Sequence, residues 1–137
     1  MQILVINAGS SSLKFKLLKT GKIPKVIAKG HFDEIGDKKT KFTYSSTNKN
    51  IGQTLHIKTH EQALDLAFNT LLKTGTIKSL KEIDAIGHRV VHGGDKFTKP
   101  TKIDSRLIKQ LKKLCELAPL HNPANLAGIK ATKKLLP

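Results

Sequence analysis

The tightest constraint on the fold lies at the start of the chain, where the short apolar run Ile3-Leu4-Val5-Ile6 stops at the turn signal Asn7-Ala8-Gly9-Ser10. A β-branched run of that length between turn residues predicts a buried central strand. Beyond the turn, Leu13, Phe15 and Leu17 alternate with Ser12, Lys14 and Lys16, and a period of two predicts a second strand with one buried and one polar face. Gly21-Lys22-Ile23-Pro24 marks the next turn, and residues 25–30 read as a third strand. Three successive strands joined by tight turns predict an antiparallel meander.

Residues 32–58 hold two further β-rich pieces, Lys41-Phe42-Thr43-Tyr44 and Gln53-Thr54-Leu55-His56-Ile57-Lys58, which predict an inserted hairpin. Thr59-His60-Glu61-Gln62 has the spacing of a capping box, and Leu64, Ala67, Phe68, Leu71 and Leu72 recur at helical intervals. That helix should stop at Thr74-Gly75, where glycine supplies a left-handed cap. A strand is expected over 83–91, closed by His92-Gly93-Gly94, and its position after a helix suggests a βαβ crossover. Asp104 or Ser105 is expected to cap a helix bearing Leu107, Ile108, Leu111, Leu114 and Cys115. Asn122 is expected to cap another, with Pro123 at its first helical position.

A chain of 137 residues holds one domain with a proper core. No apolar run approaches the roughly 20 residues of a membrane helix, and the N-terminus lacks the basic segment of an export signal. No membrane association and a cytoplasmic location are therefore expected. Cys115, the lone cysteine, reads as packing. The net charge of +15 invites a nucleic-acid reading. Yet of the 25 basic residues all but Arg89 and Arg106 are Lys, scattered along the chain, whereas base and phosphate recognition favours the Arg fork. A solvated surface is the expectation, with no nucleic-acid partner.

Three segments carry candidate chemistry. A phosphate-binding loop needs unobstructed backbone N–H groups, hydroxyls and a cation, and Asn7-Ala8-Gly9-Ser10-Ser11-Ser12-Leu13-Lys14 supplies all three. Strand alternation allows Ser10, Ser12 and Lys14 to point at one ligand; a polar turn with a solvated lysine is the competing reading. Arg89, next to Ile86, Val90 and Val91, leads into a His-Gly-Gly turn. A charge in an apolar strand is costly unless paired, so Arg89 either aims at a carboxylate or phosphate, pairs with Asp84 or Asp95, or stands at an exposed strand end. Ala118-Pro119-Leu120-His121-Asn122-Pro123 opens a helix whose free N–H groups favour anions, and His121 stands at that mouth or merely extends the cap.

Together, and in this order, Asn7–Lys14, Gly87-His88-Arg89-Val90-Val91-His92-Gly93-Gly94 and the Ala118–Pro123 segment resemble the acetate kinase (acetokinase) family. The resemblance covers the whole chain, which corresponds to roughly the first third of a member. It implies an α/β fold: one ribonuclease-H-like lobe, spanning 1–137, of the acetate and sugar kinase/Hsp70/actin superfamily. That lobe would have a mixed sheet with an antiparallel N-terminal meander and flanking helices, the C-terminal nucleotide-binding lobe being absent. By the same resemblance Asn7 would help hold Mg²⁺, and Ser10, Ser12 and Lys14 would lie near the phosphates of ATP or ADP. Arg89 would bind acetate or its phosphorylated product, His121 would lie beside the transferring phosphoryl group, and Val91 and Leu120 would wall a pocket for the methyl group.

The implied reaction is direct in-line transfer of the γ-phosphoryl group between ATP and acetate. The isolated lobe is expected to turn over negligibly, and the full-length parent to be a homodimer. Propionate or butyrate kinase is the alternative within the family. A non-enzymatic basic protein binding RNA or DNA is the alternative outside it, marked by salt-sensitive association that survives Arg89→Ala.

Overall fold

The computed structural model describes residues 1–136. Six strands form one sheet: β1 (Gln2–Ala8), β2 (Leu13–Lys19), β3 (Lys25–Asp33), β4 (Thr40–Ser46), β5 (Asn50–Leu55) and β6 (Ala85–His88). The helices are α1 (His60–Lys73), α2 (Ser105–Leu114) and α3 (Asn122–Leu135), with a single 3₁₀ turn at Leu80–Glu82. In space the strands run β5-β4-β3-β2-β1-β6. The meander is therefore five strands long, and the 40–55 hairpin continues the same sheet, β4 pairing antiparallel with β3. After α1 the chain crosses to the far edge, where β6 pairs parallel with β1, as the strand–helix–strand order anticipated.

Alternation decides which face is covered. Leu4, Ile6 and Ala8 of β1 and Leu13, Phe15 and Leu17 of β2 are all buried. All but Ala8 form one core with Ala63, Leu64, Ala67, Phe68 and Leu71 of α1 and with Ala131 of α3. Phe15 lies across Gly30 to meet Tyr44 at 6.4 Å between ring centroids; a Cβ on Gly30 would collide with the Phe15 ring. A second cluster joins Leu107 and Leu111 of α2 to Leu126 and Ile129 of α3.

The opposite face is the first correction. An unbroken apolar run suits a strand covered on both sides, but Val5 is 37% exposed and its neighbours across the sheet include the exposed Lys16 and Lys29. β1 is buried on its helix side alone, since an apolar run reads the same whether one face or two is covered.

Both ends of α1 follow their local chemistry. Thr59 Oγ1 accepts the N–H of Gln62 at 3.2 Å and Gln62 Oε1 accepts that of Lys58 at 2.8 Å. At the other end Gly75 has φ +67°. Its N–H bonds the Leu72 carbonyl and that of Thr76 the Leu71 carbonyl, the paired pattern of a Schellman cap. Asp104 caps α2 through Oδ1, 2.7 Å from the Leu107 nitrogen.

Several expected boundaries move: the third strand, expected over 25–30, runs on to Asp33, and the hairpin strand expected over 53–58 lies at Asn50–Leu55. The strand expected over 83–91 is regular only over Ala85–His88, because from Val91 onward the backbone bonds side chains of α3 instead of β1. Asn122 does not cap α3: the cap position belongs to His121, without a side-chain cap bond. The Asn122 amide is committed elsewhere, with Oδ1 accepting the His92 N–H and Nδ2 donating to the carbonyls of His92 and Leu114.

Candidate functional site

The site grows from the turn between β1 and β2. Asn7 and Lys14 sit opposite each other in register just before and just after it. Within the turn the Gly9 N–H donates to the Ser12 carbonyl at 2.8 Å, and the Ser11 carbonyl accepts the Ile35 N–H at 2.7 Å. His60, the first residue of α1, places Nε2 at 2.6 Å from the Gly9 carbonyl and 3.2 Å from that of Ser12. Asn125 Nδ2 donates to the Ala8 carbonyl at 2.6 Å. The N–H groups of Ser10, Ser11 and Ser12 meet no protein acceptor among the described residues. Donors left free in a tight turn form an anion-binding concavity. Ser10 and Ser11 are exposed and Ser12 is half-buried.

Arg89 follows the last residue of β6, its N–H carrying the ladder one step further onto the Ile6 carbonyl at 3.0 Å. It stands at an exposed strand end and forms no ion pair with Asp84 or Asp95 among the described residues. The desolvation cost that an apolar setting would impose is thereby avoided. Because Gly87 lies opposite Val5 in register, alternation puts Arg89 on the open face of the sheet. There Asn7, Lys14 and Arg89 line one cavity of about 620 Å³, together with Lys16, Lys29 and His31. No carboxylate lines it, so an anion entering meets only favourable charge.

The remaining expected residues lie apart from that cavity. Ser10 and Ser12 stay in the turn, while Val91, Leu120 and His121 belong to the loop and helix mouth on the α3 side. Val91 and Leu120 are 41% and 75% exposed, and His121 is exposed at the N-cap of α3. The adjacent His88 points the other way, lining a second cavity with Phe97, Ile103 and Leu107. Burial pushes its imidazole down to about 4, so it is neutral at pH 7.

Sequence reasoning missed the residues that tie these segments together. Asn125 accepts the Val91 N–H at 3.0 Å through Oδ1 while donating to Ala8, linking the β1–β2 turn to the stretch after Arg89. Asn122 and Asn125 are both 2% exposed. Their spacing of three on one helix face was the available signal; Asn122 was read only as a cap.

Among the described residues no group of three His, Cys, Asp or Glu side chains could hold a metal ion. Mg²⁺ ordinarily keeps waters and substrate phosphates as most of its ligands. The single amide oxygen of Asn7, beside a turn suited to phosphates, fits an ion that arrives with a nucleotide.

The profile of the acetokinase family matches residues 2–137. Acetate kinase of Macrococcus caseolyticus is 48% identical over 136 residues, covering 99% of this chain and 34% of the relative. Among solved structures, Porphyromonas gingivalis acetate kinase superposes with a TM-score of 0.92 at 40% identity, over 99% of this chain and 35% of that one. A propionate kinase from Francisella tularensis superposes with a TM-score of 0.89 at 34% identity, over 99% and 34%. The chain thus spans about a third of the length of the relatives it matches, and by fold, motifs and sequence it belongs to the acetokinase family.

Proposed function

We propose that this chain is the phosphate- and carboxylate-binding lobe of an acetate kinase, which reversibly transfers the γ-phosphoryl group of ATP to acetate to give acetyl phosphate and ADP. The observation that carries the reading is the convergence of Asn7 of β1, Lys14 of β2 and Arg89, just past β6, on one carboxylate-free cavity beside a turn with unpaired N–H groups.

Acetate is ionised at neutral pH, carboxyl groups having a pKa of about 4, so no general base is required. The obstacle is repulsion between two anions, and catalysis consists of positioning and charge neutralisation. An acetate oxygen bonds to the γ-phosphorus as the bond to the bridging oxygen breaks, and the electron pair leaves with ADP. Arg89 orients the acetate carboxylate through its planar fork. Lys14 and the N–H groups of Ser10, Ser11 and Ser12 hold phosphate oxygens, and His121 donates to the phosphoryl group in transit. Val91 and Leu120 cover the methyl group. Mg²⁺ bound with the nucleotide supplies further neutralisation of the phosphates, with Asn7 as the residue that would help hold it.

The test is acyl phosphate formation from ATP and acetate by the full-length parent. Arg89→Ala should lower kcat/KM for acetate by about 10²–10³, with Arg89→Lys recovering little of it because the bidentate geometry is gone. A parent that makes no acyl phosphate, or one indifferent to Arg89→Ala, would contradict the reading. The 137-residue chain alone should show negligible turnover.

The likeness to a propionate kinase supports a second reading in which the preferred acid is one carbon longer. One methylene in an apolar pocket is worth only about 1–3 kcal/mol, so relative rates with acetate, propionate and butyrate decide between the two.

A further inference from the structure

The donor and acceptor sides of the β1–β2 turn are treated unequally by the rest of the molecule. Its carbonyls at Ala8, Gly9, Ser11 and Ser12 all accept hydrogen bonds from protein donors. Three of the donors, on Asn125, His60 and Ile35, come from elements far along the chain. The N–H groups of Ser10, Ser11 and Ser12 have no such partner. A surface turn needs none of this, because water satisfies its carbonyls. In a turn meant to hold an anion, however, one flipped peptide would aim a carbonyl dipole at the ligand, and a glycine-serine turn resists such flips poorly.

We propose that His60 is a positioning residue for phosphate binding: its bifurcated bond to the Gly9 and Ser12 carbonyls fixes the peptide orientation that presents the Ser10–Ser12 N–H groups to phosphate. This rests on the phosphate-binding role assigned to the turn above. Two carbonyl acceptors on one nitrogen require that nitrogen to carry a proton, so His60 acts as a donor through Nε2–H. The residue lies behind the turn, and it acts through the backbone without touching the phosphate.

The test uses the 137-residue chain, inorganic tripolyphosphate as the probe and low salt. Wild type should bind, with the amide signals of Ser10, Ser11 and Ser12 shifting in ¹⁵N–¹H spectra. His60→Leu removes the donor and should weaken binding about fivefold to tenfold, in keeping with one lost neutral hydrogen bond, and should scatter or abolish those shifts. His60→Gln restores an N–H donor and should remain within about threefold of wild type, a rescue that a loss of helix stability alone does not produce. Undiminished binding by His60→Leu, with the same amide shifts, overturns the inference and leaves the phosphate turn standing. Failure of wild type to bind overturns both. Independently of any variant, ¹⁵N spectra of the imidazole at neutral pH should show the Nε2–H tautomer; an Nδ1–H tautomer is incompatible with the proposal.

Discussion

Asn125 has both halves of its amide engaged, donating to Ala8 and accepting from Val91. Removing the side chain leaves a carbonyl and an N–H without partners in a site where the asparagine is 2% exposed, and such orphaned groups cost about 1–3 kcal/mol. Asn125→Ala should therefore lower the unfolding free energy by about 2–3 kcal/mol in urea titrations, whereas an effect below about 0.5 kcal/mol would mean that water replaces the amide. Nothing in the local sequence announces this bond, whose partner lies 117 residues away. His88 makes a pH-dependent contribution of definite sign. Its folded pKa of about 4 lies below the ordinary 6.5, so the unfolded chain takes up a proton that the folded one refuses. Stability from this group is full above pH 6.5 and declines as pH falls towards 4, amounting to about 2 kcal/mol lost between pH 7 and pH 5. Urea midpoints at those two pH values should diverge less in His88→Gln than in wild type; equal divergence would relocate the effect to other groups.

At the scale of elements, strands with a polar partner face and helices with explicit caps were legible, because a period of two and a capping box are local signals. Leu13, Phe15 and Leu17 announced their burial in this way, as did Thr59 and Gly75 the limits of α1. The extent of β6 was not legible, since the residues that end it are Asn122 and Asn125 on a helix not yet reached by the chain. The open face of β1 was hidden for a related reason: coverage depends on what packs above Val5, and no pattern in the strand records it. Among candidate site residues, Asn7, Lys14 and Arg89 were singled out from their motifs and line one cavity, while His60 was read only as part of the capping box. Gly30 gives an element-level test of the meander. It lies opposite Phe15 in the β2–β3 ladder and leaves room for that ring, which is 2% exposed. Gly30→Ala should improve strand propensity yet destabilise by about 1–3 kcal/mol through overpacking, and a neutral or stabilising change in melting temperature would show that the Phe15 ring shifts freely.

For the whole molecule the governing quantity is charge. The chain carries a net +15, and the described residues form only two salt bridges, Lys41–Glu34 and Lys134–Glu61, both at exposed positions where such pairs contribute little. Meanwhile Lys14, Lys16, Lys29 and Arg89 share the open face of the sheet. Self-repulsion in the compact state exceeds that in the expanded one, and the Debye length shrinks from roughly 10 Å at 0.1 M salt to 3 Å at 1 M. Sodium chloride should therefore raise the melting temperature of this chain, the reverse of what a protein held by surface ion pairs shows. Tripolyphosphate should raise it further at matched ionic strength, because a ligand that binds only the folded state adds RT ln(1 + [L]/Kd), about 2.7 kcal/mol at a hundredfold excess over Kd. The surplus over chloride isolates the built site from the diffuse field, and it should shrink in Lys14→Ala while the chloride response persists. Equal responses to the two anions at matched ionic strength would reduce the open face to a diffuse basic surface and take the phosphate turn out of the account.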